Sequence, residues 1–411
     1  MNVGEAQLMV FDDGGPGLGP LTRRRASFEL RSGAVTTLER IEAALGRRAS
    51  ALRVPERLVQ GVGSRWDRAV NEPLDAEASW LAVHGRWSAV DAVPRVAALE
   101  PGRALTWRGT VVAARLEAGE AERVALGGEL PESVARDELS EPPLYDRPWD
   151  LVRALASALS VDLERFDYPA LPAGHVAGLS VVGDFPVRAH PSARVLPAAT
   201  FDATGGPIVI DERAELRPFV AIQGPAYVGT GTVVGAFTSL RANTSVGPDC
   251  RVGGEISASV IQGLSNKAHA GYLGNAYVGE WCNLGADTTV SNLKNTYGSI
   301  RMQLEPGDDA IDTGLTHQGP VLGDVVRTAI GTLIPTGACL DLGSSIAARG
   351  FAPKYCPPFS WVDPEGSGPY ELERFLTSLR LAMGRRGVEL PAHEAELLRA
   401  LHAAYAPPAG G

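Results

Sequence analysis

One histidine lies among residue types that could move a proton. His269 follows Asn266 and Lys267 and precedes Tyr272, and of the seven histidines it is the one in such a glycine-rich stretch. An imidazole titrates near neutral pH and can accept a proton from an attacking amine or hydroxyl. We therefore predict that His269 is a general base. The alternative is a loop histidine that only hydrogen-bonds a backbone carbonyl.

The lysines are candidates for anion binding because the chain has so few of them. Lysine and arginine total 38, and the lysines among them are Lys267, Lys294 and Lys354. A chain that uses arginine for general surface charge keeps lysine where a compact ammonium is needed. We predict that Lys267 and Lys294 bind a phosphate or an acidic sugar group, with less support for Lys354. Retention by chance on a solvated surface is the alternative.

Two asparagines and one pair of small residues complete the predicted site. The side-chain amides of Asn283 and Asn292 can donate and accept hydrogen bonds, so they could orient a sugar. The backbone N–H groups of Gly285 and Ala286 could stabilise a developing oxyanion.

A repeat of six residues predicts the scaffold that holds these groups. Eight consecutive sixth positions are aliphatic: Ile210, Leu216, Ile222, Val228, Val234, Leu240, Val246 and Val252. A period of six fits neither a helix nor a simple hairpin, and it is typical of hexapeptide β-helices. We predict such a β-helix over residues 205–350, with the aliphatic residues pointing inward.

Two polar stretches interrupt the repeat and contain the candidate residues. The spacing fails over residues 254–275, resumes at Val278, and fails again over 291–298. Loops on a rigid scaffold commonly carry binding groups. Two amphipathic helices are predicted after the repeat, at about 370–385 and 391–404, and we expect them to cap the end of the solenoid.

The residues around the histidine resemble a known enzyme family. The run from Ser265 to Gly279, followed by Asn283-Leu284-Gly285-Ala286, is similar to the acetyltransferase half of the bifunctional glucosamine-1-phosphate acetyltransferase/N-acetylglucosamine-1-phosphate uridyltransferase enzymes. The resemblance implies a left-handed β-helix, acetyl-CoA as cosubstrate and a homotrimer whose sites are shared between subunits. It also implies His269 as the base, Tyr272 and Asn283 as sugar contacts, and Ala286, beside Gly285, on the coenzyme A wall.

The resemblance has departures that affect the acceptor. Ser257 stands where a phosphate-binding lysine of the family is expected, and Lys267 and Lys294 are near the family's cations but shifted. Later segments, such as Pro353-Lys354-Tyr355, are similar to a divergent subgroup of sugar nucleotidyltransferases. The identity of the sugar phosphate therefore stays open.

The N-terminal part predicts an α/β nucleotide-binding layer. The apolar run Leu8–Phe11 predicts a strand, residues 12–22 a glycine-rich loop, and residues 37–45 a helix. Strand, glycine loop and helix in this order are typical of such layers. Further strands are expected at 80–83 and 111–114, and a helix at 150–159.

This part resembles sugar nucleotidyltransferases through a degenerate motif. Pro20-Leu21-Thr22 and Gly15 match the family pattern, whereas Asp13 replaces a glycine and Gly17 replaces the arginine. A nucleoside triphosphate must be held by N–H groups, cations and Mg²⁺. We predict weak nucleotide-binding roles for four residues: Gly15, Thr22, Arg23 and Arg25. The two arginines would replace the cations that the motif lacks. Asp12 and Asp13 would lie near any metal. UTP or dTTP would be the nucleotide, and a structural remnant is the alternative.

Composition restricts the class of protein. The chain has 411 residues and a net charge of −10, which argues against nucleic acid as a partner. No apolar run is long enough to span a membrane, and the first 15 residues do not resemble a signal peptide, so we expect a cytoplasmic protein. The four cysteines are widely spaced, and Cys250, Cys282 and Cys339 are expected to be buried because they fall in strands of the repeat.

Three parts and three functions follow from these observations. We expect a nucleotidyltransferase-like α/β domain over 1–190, an acyltransferase β-helix over 205–350 and a helical tail over 351–411. The first hypothesis is acetyl transfer from acetyl-CoA to an amino sugar phosphate in nucleotide-sugar synthesis for the cell envelope. The second is a sugar-1-phosphate nucleotidyltransferase with a structural β-helix, and the third is a non-catalytic scaffold.

Overall fold

The computed structural model describes residues 6–172 and 174–406, so the first five residues of the stretch compared with a signal peptide lie outside the described residues. The chain divides into two compact units. Unit 1 contains residues up to Leu18, Arg24–Leu30 and Val35–Arg147, and unit 2 contains Gly19–Arg23, Arg31–Ala34 and the chain from Pro148 onward.

Unit 1 is an α/β unit built on a seven-stranded mixed sheet. Its first strand is buried because Leu8, Met9 and Val10 are apolar on both faces. In spatial order the strands are Ala69–Val70, Ala51–Arg53, Gln7–Phe11, Ser79–His84, Thr110–Glu117, Arg103–Trp107 and Ala135–Glu138. The strand Gln7–Phe11 pairs in parallel with both of its neighbours, whereas Thr110–Glu117 is antiparallel to both of its own.

The helices of unit 1 are short. The α-helices are Thr37–Ala44, Val59–Arg65, Val93–Ala97 and Ala118–Ala125, and short 3-10 turns lie at Ser27–Glu29 and Glu56–Leu58. A capping box starts the first helix, because the Thr36 hydroxyl accepts from the Glu39 amide while the Glu39 carboxylate accepts from the Thr36 amide. The predicted strands and the predicted helix at 37–45 are therefore confirmed. A further 3-10 stretch, Pro16–Thr22, spans the boundary between the units.

Unit 2 contains a three-sided parallel β-helix. Two α-helices, Pro148–Arg153 and Leu155–Asp162, and a 3-10 turn, Leu163–Arg165, precede it, where the sequence predicted one continuous helix. The ten-strand face consists of Arg194–Val195, Glu215–Leu216, Val233–Val234, Arg251–Val252, Asn266–Lys267, Asn283–Leu284, Arg327–Thr328, Ser345–Ile346, Ser360–Asp363 and Gly366–Pro369.

The other two faces follow the same stacking. The nine-strand face consists of Val187–Ala189, Ile208–Ile210, Ala226–Val228, Thr244–Val246, Val260–Ile261, Tyr277–Val278, Val321–Leu322, Cys339–Leu340 and Tyr355–Cys356. The split face has six strands and then three: Ser180–Val182, Thr200–Asp202, Ala221–Gln223, Ser239–Leu240, Glu255–Ser257, Tyr272–Gly274, and Thr289–Val290, Thr332–Ile334, Gly350–Phe351. A small antiparallel hairpin, Arg301–Met302 with Ile311–Asp312, projects from one corner.

The hexad repeat places its aliphatic residues as predicted. All eight are at most 1% exposed, and Val234 pairs with Val252 three hexads later, so each coil uses three hexads. The residues two places earlier, such as Thr232 and Thr244, are buried as well. The predicted fold class is confirmed, and the stacked parallel sheets are consistent with the left-handed form that the resemblance implies.

The β-helix is longer than the repeat indicated. Its first coil starts at Ser180, which pairs with Thr200, and its last strands reach Gly366–Pro369, inside the region expected to be a helical tail. The sequence analysis missed the first coil because its turns are longer. Val195 pairs with Leu216, which is further along the chain than the 18 residues that separate Val234 from Val252 in the regular coils. Periodicity with a fixed spacing cannot find such a coil.

The two tail helices are present but packed differently from the expectation. They span Leu372–Gly384 and Ala392–Tyr405, close to the predicted ranges. Phe375, Leu376 and Leu379 pack in one buried cluster with corner residues of successive coils: Trp281, Val325, Leu342 and Phe359. The helices therefore lie along an edge of the β-helix, and the prediction that they cap its end was wrong.

Two predictions from composition can be compared with the fold. The four cysteines are free and buried, which confirms the prediction for Cys250, Cys282 and Cys339 and adds Cys356. Among residues 6–172 and 174–406, no helix is both long and apolar enough to cross a bilayer.

Candidate functional site

His269 lies in a short loop at a corner of the β-helix. The loop, residues 268–271, connects the strand Asn266–Lys267 on the ten-strand face with Tyr272–Gly274 on the split face. The strand register pairs Lys267 with Val252, so the lysine occupies an inward position that is aliphatic in the preceding coils. Lys267 is accordingly 3% exposed.

The buried lysine holds the loop in place. Its Nζ atom donates to the carbonyl oxygens of Gly253 (3.1 Å), His269 (2.6 Å) and Ala270 (3.2 Å). Burial lowers the pKa of Lys267 from 10.5 to about 8. Backbone carbonyls in a glycine-rich turn need donors when they are buried, and this ammonium supplies three. The predicted role of Lys267 as a phosphate ligand therefore competes with these bonds.

The imidazole of His269 is exposed and lines an open cleft. The cleft has a volume of about 730 Å³, and Asn283, Gly285 and Ala286 also line it. Four residues that the sequence analysis assigned to one site are thus neighbours around one cavity.

The charged side chains of this cleft are all basic. No carboxylate is among its lining residues in the described part of the chain, and beside His269 it has four arginines: Arg251, Arg327, Arg385 and Arg386. The sequence analysis missed all four. Strand register contained a signal for two of them, because Arg251, Asn266, Asn283 and Arg327 pair successively and form one outward row on the ten-strand face. Arg385 and Arg386 come from the tail helix, and the hexad spacing contains no information about them.

Two other predicted sugar contacts meet on the split face. The side-chain amide of Asn292 donates to the hydroxyl of Tyr272 (3.1 Å) and to the side-chain oxygen of Asn275 (2.7 Å). Burial and then the charge of Glu255 raise the pKa of Tyr272. Neither Tyr272 nor Asn292 lines the cleft. The corner loop with His269 therefore separates two groups of candidate residues, one on each face.

Lys294 lies in the segment inserted after Val290. Its ammonium donates to the carbonyl oxygen of Ser299. Burial and then the charges of Lys294 and Arg301 lower the pKa of Lys354, so these three cations are neighbours. The structure thus brings Lys294 near Lys354 and not into the cleft of His269.

The glycine-rich loop of unit 1 binds its own carboxylates. Asp12 accepts from the amides of Gly14 (2.9 Å) and Ser27 (2.6 Å), and Asp13 accepts from the amide of Gly15 (3.0 Å). These amides are the groups that a phosphate loop would present to a nucleotide. In this chain three of them already have anionic acceptors.

The second carboxylate oxygen of Asp13 contacts two cationic or polar groups. It lies 3.2 Å from Nε2 of His84 and 3.2 Å from Nη2 of Arg86. Burial raises the pKa of Asp13, but His84 and Arg86 together outweigh it and hold that pKa below its usual value. The carboxylate is therefore ionised at neutral pH.

The described residues of unit 1 supply no set of protein ligands that would hold Mg²⁺ without a nucleotide. Within residues 6–172 and 174–406, no group of three or more His, Cys, Asp or Glu side chains converges as a metal site. Asp12 and Asp13, the predicted metal neighbours, are instead engaged by the amides and cations described above.

The remaining motif residues have other surroundings. Arg23 belongs to unit 2, where its guanidinium pairs with Asp341 (2.8 Å) and Glu305 (2.6 Å) and lies over the ring of Tyr405. Thr22 donates to the carbonyl of Gly19 (3.4 Å) in the same unit, and Arg25 is buried in unit 1. The charge of Arg23 is therefore already balanced inside the protein.

The class to which each region is similar can now be stated. Residues 8–168 match a protein-family model described as sugar nucleotidyl transferase, and this range includes the loop with Gly15. The match covers less than half of the chain, and it agrees with the α/β architecture of unit 1.

The curated proteins to which the chain is similar indicate a narrower class than the family model does. The chain is 38% identical over 87 residues to the bifunctional protein GlmU of Paracoccus denitrificans (strain Pd 1222), which is 21% of this chain and 19% of that protein. It is 32% identical over 149 residues to the bifunctional protein GlmU of Jannaschia sp. (strain CCS1), which is 34% of this chain and 31% of that protein. The chain thus spans about a fifth to a third of the length of these relatives.

The resemblance inferred from the sequence is therefore confirmed: over part of its length the chain is similar to GlmU proteins, and over residues 8–168 it is similar to sugar nucleotidyl transferases. Among solved structures, a mutant of GDP-perosamine N-acetyl transferase from Caulobacter crescentus superposes with a TM-score of 0.13 at 11% identity, covering 88% of this chain and 96% of that chain. A score this low carries no weight for fold or function.

Proposed function

We propose that the chain transfers an acetyl group from acetyl-CoA to an amino sugar phosphate similar to glucosamine-1-phosphate, with His269 as general base. The single observation that carries this proposal is the exposed imidazole on the wall of a cleft whose other charged side chains are all arginines. Phosphate groups favour such a cleft, and coenzyme A combines phosphates with a long, uncharged arm. The relatives named GlmU add support from an independent direction.

The proposed reaction needs one proton acceptor. The imidazole of His269 takes a proton from the sugar amine while the amine nitrogen attacks the thioester carbonyl carbon. The carbon–sulfur bond then breaks, the acetyl group stays on nitrogen, and the coenzyme A sulfur leaves with the proton. The backbone N–H of Ala286 would stabilise the oxyanion, since Ala286 lines the cleft beside His269. The N–H of Gly285 already donates to the carbonyl oxygen (3.2 Å) and the hydroxyl oxygen (3.0 Å) of Thr328, so it is not available for that role.

The acceptor would bind on the other side of the corner. Tyr272 and Asn292 form a hydrogen-bonded pair on the split face and present polar atoms that suit a sugar. Asn283, on the ten-strand face, lies on the cleft side. We propose that the base stands between an acceptor on one face and a donor on the other, and Lys294 remains a proposed contact for the acceptor's phosphate.

A homotrimer is the proposed assembly. Phe219 and Phe237 are 55% and 75% exposed and stack with ring centroids 4.9 Å apart. Large exposed aromatic rings commonly mark protein interfaces, so this pair supports self-association through the β-helix.

The test measures release of free coenzyme A from acetyl-CoA with glucosamine-1-phosphate. We expect His269→Ala to reduce the turnover rate by about 10²–10⁴-fold, which is the usual contribution of a general base. His317→Ala is the matched control, because His317 is also an exposed loop histidine but does not line the cleft. Unchanged turnover in His269→Ala would refute the assignment.

Nucleotidyl transfer in unit 1 is the second candidate, because residues 8–168 match the sugar nucleotidyl transferase model. The amides of Gly14 and Gly15 weigh against it, since both donate to carboxylates of the same loop. Release of pyrophosphate from UTP or dTTP with a sugar phosphate would favour this candidate. Arg25 remains its proposed contact in unit 1, whereas Thr22 belongs to unit 2.

A further inference from the structure

We propose that the tail helix Leu372–Gly384 and its C-terminal arginines form one wall of the acyl-donor site, where Arg385, Arg251 and Arg327 bind the donor's phosphate groups. This inference rests on the proposed acyl transfer and adds the residues that would hold the donor. It also assigns a function to a segment outside the hexapeptide repeat.

The tail helix is fixed firmly enough to serve as a wall. Phe375, Leu376 and Leu379 are at most 1% exposed and pack on the coil corners. On the strand side, Nη2 of Arg327 donates to the carbonyl oxygen of Ser378 (3.1 Å). A helix held by both apolar packing and hydrogen bonds keeps its end at a defined position relative to the coils.

Arg386 connects the end of this helix to the coils. Its guanidinium donates to the carbonyl of Asp249 and to the side-chain oxygen of Asn266 (2.8 Å), and it lies 5.8 Å from the centre of the Trp281 ring. The neighbouring Arg385 is exposed at the cleft, and no carboxylate partner is recorded for it among the described residues. One arginine therefore anchors the helix end, while the next is available to a ligand.

The residues that line the cleft, among those the structure describes, carry positive charge and no carboxylate. Burial and then the charge of Arg251 lower the pKa of Arg386, so these two guanidinium groups are close enough to repel each other. Burial also lowers the pKa of Arg327. Like charges gathered in a chain whose net charge is −10 are relieved when an anion binds between them.

A purely structural account covers only part of this arrangement. Cations near a helix C-terminus are favoured by the helix dipole, which would explain Arg385 and Arg386. Arg251 and Arg327 lie on β-strands of the ten-strand face, where that effect does not act. The convergence of both pairs on one cavity is explained by an anionic ligand.

Isothermal titration calorimetry with coenzyme A tests the assignment. We expect Arg385→Ala and Arg251→Ala each to weaken coenzyme A binding about tenfold, the effect of losing one charge-assisted hydrogen bond. Pantetheine, which lacks the phosphates, should bind all variants equally. Arg380→Ala is the matched control, because Arg380 is exposed on the same helix but does not line the cleft.

The outcomes separate this inference from the proposed function. If the wild-type protein binds coenzyme A and the two variants bind it equally well, the arginine site is wrong and acyl transfer stands. If the wild-type protein binds pyrophosphate in an Arg385-dependent way but does not bind coenzyme A, the anion site stands and acyl transfer fails. If UDP binds more tightly than coenzyme A with the same arginine dependence, the donor assignment is overturned. Melting temperatures within about 2 °C of wild type confirm that the variants are folded.

Discussion

Two loops of this molecule, residues 12–15 of unit 1 and 268–271 of unit 2, solve opposite electrostatic problems. In the first loop, the carboxylates of Asp12 and Asp13 accept hydrogen bonds from backbone amides. In the second, the ammonium of Lys267 donates to backbone carbonyls. Each loop is stabilised by a charged side chain from the loop itself or from an adjoining residue. The occupied backbone groups are N–H donors in the first loop and carbonyl acceptors in the second.

The difference determines which chemistry each loop can still perform. A loop whose amide donors are occupied by carboxylates has little capacity left for a phosphate. A loop whose carbonyls are occupied by a buried ammonium leaves its side chains free, and His269 is exposed at the cleft as a result. A glycine-rich sequence alone does not distinguish these two cases, and the charge of the nearby residues does.

The largest expected effect comes from removing the buried ammonium. Lys267→Met should lower the free energy of unfolding by about 2 kcal/mol, because buried carbonyl oxygens lose their donors. It should also reduce acetyl transfer about 100-fold, because a displaced loop misplaces His269. Urea denaturation and steady-state kinetics measure the two effects.

Leu216→Met is the control for that change. Leu216 is buried at an inward position of the same face and does not line the cleft, and exchange for Met conserves volume. We expect its turnover to stay at the wild-type rate. A Lys267→Met protein with normal turnover would show that the ammonium does not position the base.

A smaller effect is expected from restoring a glycine in the first loop. Asp13→Gly frees the Gly15 amide and one end of the Arg86 guanidinium, whose other end stays paired with Asp146 (2.7 Å), and it removes a negative charge. UTP binding, measured by calorimetry, should become about tenfold tighter, since one charge-assisted contact is worth about that factor. Asp91→Gly, at an exposed position in the same unit, is the control. Equal UTP affinity in wild type and Asp13→Gly would contradict the view that this carboxylate occupies the anion position.

The smallest effect is a pH dependence. The pKa of Lys267 is about 8 in the folded protein and 10.5 as its ordinary value, so the folded state binds fewer protons between these two values. Stability should therefore rise with pH across that window, because the unfolded state binds more protons there. Turnover should fall through the same window, since a neutral amine has two N–H groups for three carbonyls.

Lys267→Met sharpens this prediction, because both trends should disappear in that variant. Urea titrations and rate profiles at a series of pH values provide the measurement. A wild-type rate that stays constant through about pH 9 would contradict a role for the protonated lysine in holding the loop.

The repeat predicted the β-helix core residue by residue, because an inward aliphatic position is strictly local information. Val234 and Val252 are examples, and each is buried as expected. The early coil at Ser180 was missed because its turns differ in length. Within the site, His269, Asn283 and Ala286 were found through short motifs.

The arginines of the cleft depend on other information. Arg385 reaches the cleft through the packing of the tail helix, which no spacing within the sequence encodes. Lys267 was predicted to bind an anion because lysine is rare in this chain, but its partners are two carbonyls of the adjoining loop and the carbonyl of Gly253 in the preceding coil. The rarity of lysine predicted that position 267 needs a compact ammonium. Only the strand register, which pairs Lys267 with Val252, showed that this side chain points inward.

The row of paired residues on the ten-strand face has a consequence for how such proteins diversify. Asn283 pairs with Arg327 even though the chain between them contains the inserted hairpin Arg301–Met302 and Ile311–Asp312. The coil tolerates this long excursion without losing alignment. Corner segments can thus be exchanged or lengthened, while the row that lines the cleft stays in register.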